Sequence, residues 1–172
     1  MKLLRIILLM VLIPVAAFAA EGYQLGAGDK LKITIFDEPD LSWEFELDGA
    51  GGVALPLIGQ MQALDLSPRE LEKRIEARLL DGYLLRPRVS IEVLSYRPFY
   101  IMGEVNQPGS YPYRAGLNVL NAAALAGGFT YRADEGDIEI SREAAAGGGR
   151  FEATPQTQIK PGDVIRVKER LF

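Results

Sequence analysis

The 172-residue chain contains no cysteine and no histidine. Disulfides, thiolate and imidazole metal sites, cysteine nucleophiles and every Ser-His-acid relay are thereby excluded. Positive charge is not in surplus either: 19 Lys and Arg stand against 23 Asp and Glu, a formal net charge of −4. Such a chain has no basic field with which to grip phosphates, so nucleic acid is not expected as a partner and charge-driven adhesion to anionic lipid is disfavoured. What it does have is core-forming material. Hydrophobic residues make up 48% of the chain and charged residues 24%, with seven Tyr, seven Phe and one Trp. That composition is not that of a disordered segment, and the length suits one or two small domains.

Long apolar runs are scarce, and the one present lies at the N-terminus. Lys2 and Arg5 precede an apolar stretch from Ile6 to Val15, broken only by Pro14, and Ala17-Phe18-Ala19 places small residues at both positions a signal peptidase reads. A bilayer-spanning helix needs about 20 apolar residues, so residues 1–19 are expected to be a signal peptide cleaved after Ala19 rather than an anchor. Removing them deletes two cations and no acid, leaving 17 cations against 23 acids, a net charge of −6. Acylation as a lipoprotein would need a cysteine, which the sequence lacks. No later stretch is apolar and long enough to span a membrane, and the single alternating strand at Val164–Lys168 cannot close a barrel. The expected location is the periplasm, with any association with the outer membrane made through partners.

The remaining chain reads as two α+β units. Gly26-Ala27-Gly28-Asp29 forms a turn, after which Leu31, Ile33 and Ile35 alternate with Lys30, Lys32 and Thr34 as a strand with one buried face. Phe45 and Leu47, followed by Asp48-Gly49 and Val53-Ala54-Leu55, read as a hairpin that Pro56 and Gly59 terminate. Ser67-Pro68-Arg69-Glu70 combines an N-cap hydroxyl, a proline at the first helical position and a glutamate that completes a capping box. Leu71, Ile75 and Leu79 then mark the apolar stripe of a helix, with Glu72, Lys73, Arg74, Glu76 and Arg78 expected to face mostly water. Val89, Ile91 and Val93 form a further strand. Pro98 breaks the ladder, and the domain boundary is placed between residues 95 and 96. Beyond it the sequence predicts an edge strand around Tyr111 and Tyr113, a short alanine-rich helix capped by Asn118, strands at Ile138–Ile140 and Val164–Val167, and a glycine loop at Gly147–Gly149. Gly28-Asp29 and Gly162-Asp163 echo each other, each launching an alternating strand; two similar turns explain this without invoking duplication.

Candidate chemistry is sparse. Asp37-Glu38-Pro39-Asp40 clusters three acids, and paired carboxylates are the minimum equipment of a glycoside hydrolase. No second acid elsewhere presents itself as the opposite member, and acids in a proline-containing loop commonly form a solvated turn. Gly49-Ala50-Gly51-Gly52 is followed by neither a lysine nor a helix and reads as a turn rather than a phosphate cradle. Aromatics interleaved with arginine carry more information: Tyr96, Arg97, Phe99 and Tyr100, then Tyr111, Tyr113 and Arg114, then Phe129, Tyr131 and Arg132. Tyr and Arg supply much of the energy of interfaces, and tyrosine faces stack on sugar rings. These residues equally suit a core of Phe99 and Phe129 with tyrosines covering it. Arg97, Tyr100, Tyr111, Arg114, Tyr131 and Arg132 are the candidate interface or glycan contacts, the arginines provided that they are exposed. No catalytic, metal-binding or cofactor-binding residue is assigned.

Three stretches together resemble the bacterial outer-membrane polysaccharide export proteins. Tyr23-Gln24-Leu25-Gly26-Ala27-Gly28-Asp29-Lys30-Leu31, with Asp48-Gly49 and Leu55-Pro56-Leu57-Ile58-Gly59, is similar to the family's export domain. Leu66-Ser67-Pro68 through Arg86-Pro87-Arg88-Val89 continues it. Gly103-Glu104-Val105-Asn106-Gln107-Pro108-Gly109-Ser110-Tyr111, with Ala126-Gly127-Gly128-Phe129, resembles the soluble-ligand-binding β-grasp (SLBB) module that follows in that family. The resemblance implies an export domain over residues 20–95, one SLBB domain over 96–172, and a non-enzymatic role in exporting capsular polysaccharide or exopolysaccharide. It also implies a homo-oligomeric ring working with an inner-membrane polysaccharide co-polymerase. Without an acylated cysteine, a second β-grasp module or a C-terminal amphipathic helix, the expected form is a short periplasmic member that bridges the co-polymerase to a separate outer-membrane barrel. The rivals are a monomeric periplasmic glycan-binding module and a hydrolase acting through Asp37 or Glu38.

Overall fold

The computed structural model describes residues 23–143 and 148–170. The expected signal peptide, with Ala19, and part of the glycine loop lie outside the described residues. The fold is α+β, as the sequence predicts, and its buried apolar residues form two separate clusters. One draws on Leu25 to Ile91, the other on Phe99 to Val167.

The first cluster is closed by a three-stranded antiparallel sheet and one helix. β1 (Lys30–Ile35) runs between β2 (Trp43–Glu46) and β5 (Val89–Ser95). Leu31, Ile33 and Ile35 bury one face of β1 against Leu71, Ile75 and Leu79 of α1 (Pro68–Leu80), the period of two meeting the period of four. The capping box forms as read: Ser67 Oγ accepts from the Glu70 amide at 3.2 Å, and the Glu70 carboxylate accepts from the Ser67 amide at 2.8 Å. A proline occupies the first turn of this helix.

Two expectations are corrected here. Glu72 and Glu76 do not simply face water: their carboxylates accept the Ile91 and Val89 amides at 2.8 and 2.9 Å. β5 is an edge strand, so these outward N–H groups have no strand to pair with, and α1 supplies the missing acceptors. The anticipated hairpin of Phe45–Leu47 with Val53–Leu55 does not form either. β2 instead pairs with β1, Ile33 opposite Trp43 and Lys30 opposite Glu46. Ser42 secures that return by accepting the Ile35 amide at 2.9 Å. β3 (Gly52–Leu55) pairs with β4 (Gly59–Gln62), so Pro56 to Ile58 form a tight reversal rather than an end, with Leu57 at φ 67°.

The second cluster lies between a five-stranded mixed sheet and α2 (Val119–Leu125). The strand order is β7 (Gly109–Tyr111), β6 (Phe99–Gly103), β10 (Val164–Glu169), β8 (Ala133–Arg142) and β9 (Gly149–Ala153). The last strand of the chain is therefore central, parallel to β6 and antiparallel to β8. Phe99, Ile101, Ile138, Ile140, Ile165 and Val167 bury the helix-facing side, where Ala122 and Ala123 let α2 approach closely. Asn118 caps α2 by accepting the Asn121 amide at 2.8 Å. The edge strand expected near Tyr111 and Tyr113 is β7; it stops at Tyr111 because Pro112 has no N–H to continue the ladder.

Candidate functional site

Only Tyr96, Arg97 and Pro98 separate β5 from β6, and a buried polar constellation is built around them. Its base is the turn before β1. Asp29 is fully buried, and its carboxylate accepts the Gly26 amide at 2.8 Å and the Tyr23 hydroxyl. Sixty-eight residues further on, the Arg97 amide donates to the other Asp29 oxygen at 2.8 Å. The Arg97 guanidinium returns to Asp29 at 3.4 Å and to the Tyr23 hydroxyl at 3.2 Å. Its second terminal nitrogen lies 3.8 Å from Glu143. Burial, reinforced by the Asp29 carboxylate it donates to, pushes the Tyr23 hydroxyl far above the ordinary tyrosine range, so it stays a proton donor.

The turn before β10 repeats this construction. Asp163 is also fully buried and accepts the Lys160 amide at 2.7 Å, as Asp29 accepts that of Gly26 three residues upstream. Arg142 binds both Asp163 oxygens, at 2.8 and 2.7 Å, a bidentate pair. The same guanidinium lies 5.1 Å from the centre of the Phe151 ring. The echo in the sequence is thus a shared device: a buried aspartate that ties its own turn and holds an arginine.

Arg97 touches both turns. A Cβ at Gly26 would lie 2.1 Å from its Nη1, and one at Gly162 would lie 2.8 Å from its Nε. Only glycine permits that approach on either side. The Gly162 amide also donates to the Pro98 carbonyl at 3.0 Å. Beside the guanidinium runs a file of edge-to-face rings, Tyr23 to Tyr96 at 4.8 Å and Tyr96 to Tyr113 at 5.5 Å, which crosses from the first unit into the second.

The six candidate contact residues do not converge on one site. Arg97 is 12% exposed and belongs to this junction, so it fails the condition of exposure attached to it. Tyr100 is 45% exposed on the open face of the five-stranded sheet, beside Met102 and Arg166. Tyr111 lies on the opposite face, stacked on Phe99 at 5.9 Å, with its hydroxyl donating to the Gln107 carbonyl at 2.7 Å. Arg114 is exposed in a groove of about 550 Å³ lined by Pro112, Leu117, Asn121, Ala124 and Leu125. Tyr131 projects fully into solvent before β8, and its neighbour Arg132 pairs with Glu169. Sequence reasoning missed Tyr23, Asp29, Arg142 and Asp163, for which the repeated Gly-Asp turn was the available signal.

The acid cluster lies on the surface of a short connection. Asp37 is exposed and pairs with Arg88 at 3.3 Å, while Asp40 lies in a single 3₁₀ turn, Pro39–Leu41. Among the described residues no group of three or more Asp or Glu is placed to hold a metal ion, and no helix is long and apolar enough to cross a membrane. At the end of the first unit remote from the junction, the connections expose Phe36, Leu80, Tyr83 and Leu85.

Comparison with known proteins gives this architecture a lineage. The sequence model of the family described as polysaccharide biosynthesis/export protein matches residues 18–94, and that of the SLBB domain matches residues 98–152. The chain belongs to the polysaccharide export family, with one SLBB domain. It is 35% identical over 129 residues to the exopolysaccharide production protein ExoF of Rhizobium meliloti (strain 1021), covering 68% of this chain and 30% of that protein. It is 25% identical to the EPS I polysaccharide export outer membrane protein EpsA of Ralstonia nicotianae (strain ATCC BAA-1114 / GMI1000), in an alignment covering 88% of this chain and 48% of that protein. The chain therefore spans less than half the length of either relative. Tyr96 and Arg97 fall between the two family matches, and Gly162 and Asp163 fall beyond the second. Tyr23, Gly26 and Asp29 lie within the first match, so the junction combines matched residues of the first module with residues outside both matches.

Proposed function

We propose that this chain is a non-enzymatic component of an envelope machine that exports capsular polysaccharide or exopolysaccharide. The observation that carries the reading is the pairing of an export module with an SLBB module, in the order and over the residues that the family matches give. The names of its relatives, an exopolysaccharide production protein and a polysaccharide export outer membrane protein, point the same way. In this reading the protein works in the periplasm and guides the polymer without cutting it. As a homo-oligomer it connects an inner-membrane co-polymerase to a separate outer-membrane barrel. The exposed Phe36, Leu80, Tyr83 and Leu85 support self-association or docking, since apolar side chains grouped at one end of a soluble module gain most by being covered.

Deleting the gene should leave polysaccharide made but not delivered to the cell surface, and crosslinking in the intact envelope should recover the chain with itself and with an inner-membrane partner. Native mass of the purified protein should be a multiple of the single chain. Unchanged surface polysaccharide together with a single-chain mass would overturn the reading in favour of a monomeric glycan-binding module. Release of reducing ends from purified polymer, lost on changing Asp37 or Glu38, would instead make it a hydrolase.

A further inference from the structure

We propose that Arg97 is a positioning residue that locks the export and SLBB modules into one rigid body and so sets the angle at which the second module meets its partners. The two apolar clusters share no residue, so burial within each stabilises a module and not the angle between them. Modules joined by a short, small interface are mobile by default. Here the junction contacts oppose that motion. Arg97 holds Asp29 through both its amide and its guanidinium, and the same guanidinium lies against Gly162 of the other module. Any hinge at residues 96–98 would pull it from one turn or the other.

The chemistry makes arginine specific for the place. A guanidinium is flat and lies against the glycine of each turn, where its Nη1 donates to both Asp29 and the Tyr23 hydroxyl while its Nε is buried without a partner. A lysine ammonium keeps the charge but has neither the plane nor the fork. Asp29 is fully buried, so pulling Arg97 away leaves a carboxylate without its counter-charge, which opposes opening of the joint. Gly26 has no left-handed φ, so alanine is objectionable there only because its methyl group would occupy the space of Arg97 Nη1.

The absence of native cysteine allows two probes to be placed at will. Glu44→Cys on the exposed edge of the first module and Glu152→Cys on the second would carry spin labels in the full chain. The inter-label distance distribution should be narrow with Arg97 present and several-fold broader in Arg97→Lys and Gly26→Ala, while amide dispersion in both modules is retained. In a double-mutant cycle, Gly26→Ala should add little broadening once Arg97 is alanine, because the methyl then has nothing to displace. A broad distribution in the parent chain, or an unchanged one in both Arg97→Lys and Gly26→Ala, overturns the proposal. The readout does not depend on export, so its failure and that of the functional reading are distinguishable.

Discussion

Two aspartate–arginine pairs of this chain differ in almost everything but chemistry. Asp163 and Arg142 meet bidentately, with the carboxylate fully buried, whereas Asp37 and Arg88 are both largely in solvent. Removing one partner of a buried pair leaves an uncompensated charge and costs about 3–5 kcal/mol, while an exposed pair contributes about 0–1 kcal/mol. Asp163→Ala should therefore lower the stability of the second module several-fold more than Asp37→Ala lowers that of the first, as read by urea titration of each variant. The sequence displayed all four residues but not this contrast. A charged side chain reads as surface unless its partner is visible, and the partners of Asp29 and Asp163 lie 68 and 21 positions away. The Gly-Asp echo was legible; that both aspartates are buried was not, because burial is decided by what folds over the turn.

Local signals are more faithful when the element itself is local. α1 was legible from Ser67, Pro68 and Glu70 because each acts on its own first turn. The pairing of β2 with β1 was not, because register depends on a distant strand, and Gly59–Gln62 carries none of the β-branched residues that announce a strand. The capping box also makes α1 sensitive to acid. The Ser67 amide and hydroxyl hold the Glu70 carboxylate below its ordinary value, so its contribution is present above that value and is lost as pH falls through the lowered one. Asp48 behaves alike, held down by the Gly52 and Ala50 amides. Lowering pH from about 6 to about 3 should loosen the start of α1, and Glu70→Gln should reduce that pH dependence while weakening the helix at neutral pH. Chemical shifts of the Ser67 and Glu70 amides across the titration would follow it; amides that titrate identically in the variant would refute the assignment.

β10 occupies the middle of the second sheet, so the fold of that module depends on it. β10 pairs with β6 on one side and β8 on the other, and Ile165 and Val167 complete the layer facing α2. A chain ending before Val164 would leave both neighbouring strands with open edges and remove two core residues, which an α2 of seven residues cannot replace. It would keep Asp163, the partner of Arg142, but leave its turn without the strand that follows it. The first module draws its core from residues that end at Ile91 and should survive. Deleting residues 164–172 should therefore abolish the dispersed amide signals of Phe99, Ile101, Ile138 and Ile140 while those of Leu31, Ile33 and Leu71 persist. Loss of both sets would mean that the modules depend on each other for folding and not only for their relative orientation, and Arg97 would then be part of a single cooperative core.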